Sequence, residues 1–236
     1  MKILGIDTTA KVSTAALMCD GNIIAELDLS AGFTHSQTIL PIINSILDLS
    51  NTTINDIDLF AVTTGPGSFT GVRTGVSLVK GLAFPRNIGC IGLSSLEALA
   101  YNLYGLDGFI CPVMDARRSQ VYTALFEFSD GIMKRCTDDD IMKIDELGEK
   151  IKNISKPLFF VGDGATLCYN NLGNMNDNFV LAPLALRHQK GASVCRLANH
   201  LVETNKNCIV DCETIMPSYL RPSQAERELK ARNSKI

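Results

Sequence analysis

The feature that most constrains the fold of this chain is an order of elements that occurs twice. Residues 3–7 and 109–115 each read as a short buried strand that ends in an aspartate, Asp7 or Asp115. Each is followed by two strand-like runs joined at an Asp-Gly pair, which is a strong signal for a β-hairpin. When Asp7 is placed on Asp115, the Ala-Leu pair at 16–17 falls on the Ala-Leu pair at 124–125. The sequence therefore predicts an α/β protein made of two duplicated β-β-β-α-β-α subdomains.

Two such copies fit the actin-like ATPase/sugar-kinase (ASKHA) architecture, in which two similar domains flank a cleft. We predict an N-terminal subdomain over residues 1–105, a C-terminal subdomain over 106–215 and a tail over 216–236. An aspartate at the tip of the first strand can hold a metal-bound water, or a phosphate through a metal. For Asp7 the alternative is an Asx-turn with the two threonines that follow it. The candidate residues of a degenerate nucleotide cleft are Asp7, Thr8, Thr9 and Asp115.

A glycine-rich segment, residues 65–75, joins a predicted strand to a predicted helix. Ser68 is placed to cap the helix, and such a turn can present free amide groups to an anion. The segment matches neither the P-loop nor the dinucleotide fingerprint, because Val72 and Arg73 follow Gly71 and the required spacing of glycines fails. The alternative interpretation is steric: Gly71 and Gly75 share one helix face and would let another backbone approach closely.

The charge and composition of the chain argue against several classes of function. The net charge is −3 and the sequence pI is about 5.6, so we do not expect this chain to grip nucleic acid unaided. The eight cysteines are scattered without a C-x-x-C pair, and no apolar run is long enough for a membrane helix. We therefore expect a cytoplasmic protein. The three histidines, His35, His188 and His200, are not spaced as a metal-binding cluster, so no metal site is predicted.

Two early helices carry more apolar residues than one buried stripe requires. They are predicted over residues 36–48 and 69–84. A helix that is apolar on more than one side must bury the surplus, either inside its own chain or against a partner. We predict a partner interface on these helices. Its candidate residues are Ile39, Leu40, Ile43, Leu47, Gly71, Val72, Arg73, Gly75, Val76 and Val79.

Several motifs together resemble the bacterial TsaB (YeaZ) family over nearly the whole length of the chain. They are Asp7-Thr8-Thr9, His35-Ser36-Gln37, the segment from Gly65 to Arg73, Asp115-Ala116-Arg117-Arg118 and Tyr219-Leu220-Arg221-Pro222. The motifs occur in the order of the family. Gln37 stands where the family often has Glu, and Thr74 stands where it often has Ile.

The resemblance implies an accessory protein and not an enzyme. TsaB-like proteins are non-catalytic partners of TsaD, which transfers a threonylcarbamoyl group to the adenosine 3′ of the anticodon in tRNAs that read ANN codons. The small ATPase TsaE joins this pair. The resemblance further implies a homodimer and a TsaD heterodimer through the first two helices, contact with tRNA only through the complex, and no cofactor. The alternative is a small-molecule phosphotransferase of the same fold, using Asp7, Thr9 and Asp115, with the glycines at 162 and 164 beside an adenosine.

Overall fold

The structure is a computed structural model, and it describes residues 1–221. The predicted tail is therefore covered only over residues 216–221. Residues 222–236, which contain most of its charged side chains, lie outside the described residues.

The first half of the chain forms a five-stranded mixed sheet. Its strands are β1 (Lys2–Asp7), β2 (Ser13–Cys19), β3 (Asn22–Leu29), β4 (Leu59–Gly65) and β5 (Gly89–Ser94), in the order β3-β2-β1-β4-β5. The first three strands are antiparallel, and β4 and β5 continue the sheet in parallel. Asp20 and Gly21 both have positive φ, at 47° and 81°, as the tight two-residue hairpin turn requires.

The second half repeats this topology, which confirms the predicted duplication. Its strands are β6 (Gly108–Asp115), β7 (Gln120–Thr123), β8 (Phe126–Ser129), β9 (Ile132–Arg135), β10 (Asp140–Lys143), β11 (Leu158–Val161) and β12 (Phe179–Leu181). The path β10-β7-β6-β11-β12 matches that of the first sheet, and β8 and β9 extend it beside β6. The turn at Asp130 and Gly131 again has positive φ at both residues.

One predicted strand of the second half is interrupted. The first of the two strand-like runs that follow Asp115 is not continuous, because the chain breaks into β7 and β8 at Ala124 and Leu125. The backbone carbonyl of Leu125 accepts hydrogen bonds from the N–H groups of both Cys136 and Thr137. The strand pairing changes at this point: β7 pairs with β10, whereas β8 pairs with β9.

Helices cover both sheets. Helices α1 (His35–Leu49) and α2 (Phe69–Ala83) lie on one face of the first sheet. Helices α4 (Ile144–Ile151) and α5 (Ala165–Leu172) pack on the second sheet. Ser68 Oγ accepts from Gly71 N at 3.3 Å, which confirms the predicted cap of α2. Ser94 likewise caps α3 (Ser95–Ala100) by accepting from Glu97 N.

Two helices cross between the halves. Helix α6 (Gly191–Thr204) follows the second half in the sequence but packs on β1 and β2 of the first sheet. Helix α3 belongs to the first half in sequence but packs on β6 of the second. The predicted boundary near residue 105 therefore separates the two sequence repeats. It does not separate the two hydrophobic cores, because each core contains one helix from the other half.

The last described segment returns to the first half. This C-terminal strap, residues 209–221, forms a bridge between Val210 and Cys90 and donates from Ser218 N to Thr64 O at 2.7 Å. Cys212 and Ile215 of the strap are buried in the core under α2. Arg221 then reaches Ala116 O of the second half, so the strap crosses the line between the two halves.

Candidate functional site

Asp7 ends β1 inside the protein and not in an open cleft. Its Oδ1 accepts hydrogen bonds from the N–H and the hydroxyl of Thr9, both at 2.7 Å, and the residue is only 1% exposed. Burial raises the pKa of Asp7, and the hydrogen bonds from Thr9 partly oppose this rise. The Asx-turn alternative is thereby confirmed. Asp7 is therefore buried beside the cleft and does not line it, and its role toward a phosphate or a metal-bound water stays a prediction.

Thr8 is also turned inward. Its hydroxyl donates to the carbonyl of Gly71 at 2.7 Å, and the residue is 1% exposed. Thr8 thus joins the β1–β2 turn to α2 and does not line the cleft, contrary to the sequence-based prediction. Thr9 and Asp115 do line it, so two of the four candidates are brought together there.

The glycines of α2 meet the same turn. A Cβ on Gly71 would lie 2.0 Å from Thr8 O, and a Cβ on Gly75 would lie 2.6 Å from Thr8 Oγ1. As predicted, the two glycines allow another part of the backbone to approach α2 closely. The segment that approaches is different from the one expected. The side-chain-free face receives the β1–β2 turn of its own chain and not the helix of a partner.

Most of the predicted interface residues are covered within the chain. Only Leu40, which is 42% exposed, and Arg73 stand on the outer surface. The others are buried in the core between the two helices and the first sheet, and so they do not lie on the surface that a partner could contact directly. They are Ile39, Ile43, Leu47, Gly71, Val72, Gly75, Val76 and Val79.

The outer surface of the two helices is nevertheless apolar in places. Leu40 and Leu49 of α1 are exposed, Leu49 at 85%, and Phe84 just after α2 is 65% exposed. Gly81 of α2 is exposed, and a Cβ there would meet nothing within 4 Å. We call Leu40, Leu49, Gly81 and Phe84, the exposed apolar or side-chain-free positions of the two helices, the outer helix face; Leu40 and Leu49 lie on opposite edges of the exposed side of α1, because nine residues separate them. The predicted interface residues include only Leu40 of this set, because a helical wheel does not show which of two apolar sides the sheet will cover.

A cleft of about 580 Å³ lies between the halves. It is bounded by the β1–β2 turn, the glycine turn before α2, the β6–β7 turn and Arg221 of the strap. The glycine turn is held from three sides: Ser68 N donates to Thr9 O at 2.7 Å, Ser95 Oγ donates to Pro66 O, and Ser218 of the strap packs against Gly65. Gly65 has φ of 123°, which explains why a glycine is required at this position.

The carboxylates of the cleft support its loops. Asp163 Oδ1 accepts from Asp115 N at 3.1 Å, and Asp115 Oδ1 accepts from Arg117 N at 2.7 Å. Burial raises the pKa of Asp163, and the Asp115 N–H and the charge of Lys11 partly oppose this rise. Asp163 was not predicted, although its flanking glycines were named. A Cβ on Gly162 would lie 2.1 Å from Val113 O, so Gly162 packs on β6 and is not open to an adenosine.

The histidines do not converge on a metal. Among residues 1–221, no group of three or more His, Cys, Asp or Glu side chains could hold a metal ion. His35 has a structural role: its Nδ1 lies 2.6 Å from Ser13 Oγ and its Nε2 lies 2.7 Å from Ala10 O. These contacts fix the start of α1 to the β1–β2 turn.

The two similar halves and the cleft between them define an α/β protein of the actin-like ATPase/sugar-kinase class. A family model described as "TsaD: tRNA N6-adenosine threonylcarbamoyltransferase" matches residues 30–229. The tRNA threonylcarbamoyladenosine biosynthesis protein TsaB of Bacillus subtilis is 32% identical over 226 residues, 96% of each chain. The chain belongs to the TsaB (YeaZ) family.

Two further comparisons agree with this assignment. The TsaB protein of Escherichia coli is 31% identical over 97% of this chain and 98% of its own length. The solved structure of YeaZ from Pseudomonas aeruginosa has the same fold, with a TM-score of 0.74 at 23% identity, covering 93% of this chain and 99% of that one. Within residues 1–221, no helix is both long enough and apolar enough to cross a membrane.

Proposed function

We propose that this chain takes part in tRNA threonylcarbamoyladenosine biosynthesis as the non-catalytic partner and activator of a TsaD-type transferase. Its relatives of matching length are named for this pathway, and the family model that it matches is described as the transferase. The observation that carries the accessory role is the position of the Asp7 carboxylate. The carboxylate that ends the first strand is bound to Thr9 inside its own turn, so it is withdrawn from the cleft. Catalysis then belongs to the partner.

The outer helix face is the proposed docking surface for the transferase. Leu40, Leu49 and Phe84 supply apolar area that this chain leaves exposed, and Gly81 lets a partner helix cross α2 closely. Burying such surface contributes about 25 cal/mol per Å², which opposes the entropic cost of association.

The same face would form the homodimer, so homodimer and heterodimer would exclude each other. A TsaE-type ATPase would join the heterodimer.

The phosphotransferase alternative has less support. It needs Asp7 in the cleft and an open glycine pair at 162 and 164, whereas Asp7 and Gly162 are both packed inside. Asp115 and Asp163 remain in the cleft, but each accepts a main-chain N–H. Calorimetric titration with Mg-ATP separates the two functions, because tight binding with turnover is expected only of the phosphotransferase.

Two glycine substitutions in α2 test the docking surface. We expect Gly81→Leu to weaken the complex with the co-expressed transferase while leaving this chain folded. Leucine gains up to about 1 kcal/mol of helix propensity over glycine at an exposed position. Gly75→Leu should instead destabilise the chain itself by about 1–3 kcal/mol, because its Cβ would collide with Thr8.

Size-exclusion chromatography of the co-expressed pair and thermal unfolding of each variant distinguish these effects. Gly81→Ala is the matched control, since it removes the glycine but adds little bulk, and it should retain the complex. An undiminished complex with Gly81→Leu would show that α2 does not dock at this position.

A further inference from the structure

Positively charged side chains from four separate segments surround the opening of the cleft. Lys11 follows β1, Arg73 lies on α2, Arg117 lies in the β6–β7 turn and Arg221 lies on the strap, and all four line the cleft. Arg118 is exposed next to Arg117. We call these five residues the cationic mouth. We propose that the cationic mouth binds the phosphodiester backbone of RNA, which means that this chain itself contacts the tRNA. The identity of that RNA rests on the proposed function.

The charges of the cationic mouth are not neutralised inside the protein. Within the part of the chain that the structure describes, none of the five cations forms an ion pair within 4.0 Å, whereas cations such as Arg135, Lys152 and Lys190 do. The carboxylates of Asp115 and Asp163 accept main-chain N–H groups. The charge of Asp163 attracts Lys11 only at longer range. Unpaired cations on a shared surface are what a polyanion requires.

The two arginines of the β6–β7 turn are held in a rare backbone conformation. Arg117, Arg118 and Ser119 have φ of 64°, 57° and 55°, the left-handed region that disfavours residues with a Cβ by about 1–2 kcal/mol each. Hydrogen bonds from Ala116 N to Gln120 O and from Ile144 N to Ser119 O fix the turn. Residues are kept in such a conformation only when their surroundings over-determine it, and they cluster at functional sites. The turn therefore presents both guanidinium groups from a fixed frame.

An aromatic pair beside the cations favours RNA over an acidic protein. The rings of Phe69 and Tyr219 stack at 4.4 Å, and Arg73 Nε donates to the Tyr219 hydroxyl at 2.8 Å. The guanidinium carbon of Arg73 lies 5.6 Å from the Tyr219 ring centroid. Tyr219 remains 40% exposed. Exposed aromatic rings next to cations stack on unpaired bases, which an acidic peptide lacks.

The extent of the surface favours a long anion over a single nucleotide. The cations come from both halves of the protein and continue outside the cleft at Arg118. A net charge of −3 does not oppose this proposal, because phosphate contacts depend on local charge.

The test removes two charges without disturbing the turn. In the double variant Arg117→Asn with Arg118→Asn, asparagine is neutral and tolerates the left-handed region. The matched control is Lys134→Asn with Arg196→Asn, which removes two exposed, unpaired cations elsewhere. Binding of the full chain to an unmodified tRNA transcript is followed by fluorescence anisotropy between about 50 and 200 mM salt, where phosphate contacts change affinity steeply.

We expect weak, salt-sensitive binding by the wild-type chain. The turn variant should bind on the order of tenfold more weakly at the lowest salt, and its slope of log K against log salt should fall by about 2, one for each cation. Tyr219→Leu should weaken binding without changing the slope, because it removes a ring and no charge. The control variant should match the wild type.

Three results would overturn the proposal. They are no tRNA binding by the wild-type chain, equal slopes for the turn variant and the control, and a turn variant that loses the transferase complex while tRNA binding is unchanged. The last result would assign the arginines to a protein partner. If Mg-ATP displaces the tRNA, and the slope of log K against log salt is the same for the turn variant and the wild type, the cleft binds a nucleotide instead. Complex formation, measured separately by size exclusion, tests the proposed function independently of this inference.

Discussion

At the scale of single residues, Asp7 determines how the first half of the cleft is built. Its carboxylate accepts from Thr9, and the hydroxyl of Thr8 donates to Gly71, so the β1–β2 turn is fastened to itself and to α2. Local sequence was sufficient to predict the Ser68 cap and to offer the Asx-turn as one of two alternatives for Asp7, because both depend on neighbours within a few residues. It could not show that Gly71 and Gly75 face Thr8, since that contact joins residues distant in the chain.

The pH dependence of stability tests the buried state of Asp7. Burial favours the neutral carboxyl, so the pKa of Asp7 is higher in the folded chain than in the unfolded chain. Its contribution to stability is fully present below the ordinary aspartate pKa of about 4 and is lost as the pH rises through the folded-state pKa. Asp7→Asn keeps the acceptor for Thr9 but does not titrate. We therefore expect the stability of wild type relative to Asp7→Asn to decrease as the pH rises from about 4.

Urea unfolding of both proteins at several pH values measures this difference directly. Other titrating groups are common to the two proteins and cancel in the comparison. A difference that stays constant, or that grows in favour of the wild type with rising pH, would contradict the buried, raised-pKa state of Asp7.

At the scale of elements, the sequence predicted most strands and helices, but it did not predict that α3 packs on the second sheet and α6 on the first. The apolar periodicity of α1 and α2 identified both helices nearly to their ends. The predicted repeat includes a helix at the place of α4 but gives no bounds for it, and the break between β7 and β8 lies where the carbonyl of Leu125 accepts from the N–H groups of Cys136 and Thr137. The packing of α6 on the first sheet and of α3 on the second is set by tertiary contacts that no local pattern contains.

The attachment of α3 to the second half depends on Arg135 of β9. Its guanidinium binds Glu97 Oε2 at 2.7 Å and Asp139 Oδ1 at 2.6 Å, and it lies 4.7 Å from the ring centroid of Phe126. The three charged side chains are between 18% and 27% exposed. Removing the arginine leaves two partly desolvated carboxylates without their shared cation.

We expect Arg135→Ala to lower the free energy of unfolding by about 1–3 kcal/mol, less than for a fully buried network because solvent partly screens the charges. Chemical denaturation measures the change. Lys134→Ala, which removes the exposed and unpaired neighbouring cation, is the control and should alter stability by no more than about 0.5 kcal/mol. Equal effects of the two substitutions would show that the network does not hold α3 in place.

At the scale of the whole molecule, the chain keeps the two-lobed form of a nucleotide-handling fold while its surfaces suit an accessory role. The first-strand aspartate is closed inside a turn, the cations at the cleft opening form no ion pair among residues 1–221, and the outer helix face leaves apolar side chains exposed. The duplication predicted this form from sequence. Of the residues that the sequence suggested for the cleft, Thr9 and Asp115 line it and their roles there stay predictions, whereas Asp163 and the outer helix face follow from the folded packing.

A reconstituted modification assay tests the central claim most directly. The transferase, the TsaE-type ATPase, an activated threonylcarbamoyl donor and an unmodified tRNA that reads ANN codons are combined with ATP, with and without this chain, and modified adenosine is measured by mass spectrometry. We predict that modification depends on this chain up to an equimolar ratio with the transferase, and that this chain alone gives neither modified tRNA nor ATP turnover. Modification or ATP hydrolysis at an enzymatic rate by this chain alone, or a transferase whose rate does not depend on it, would contradict the account.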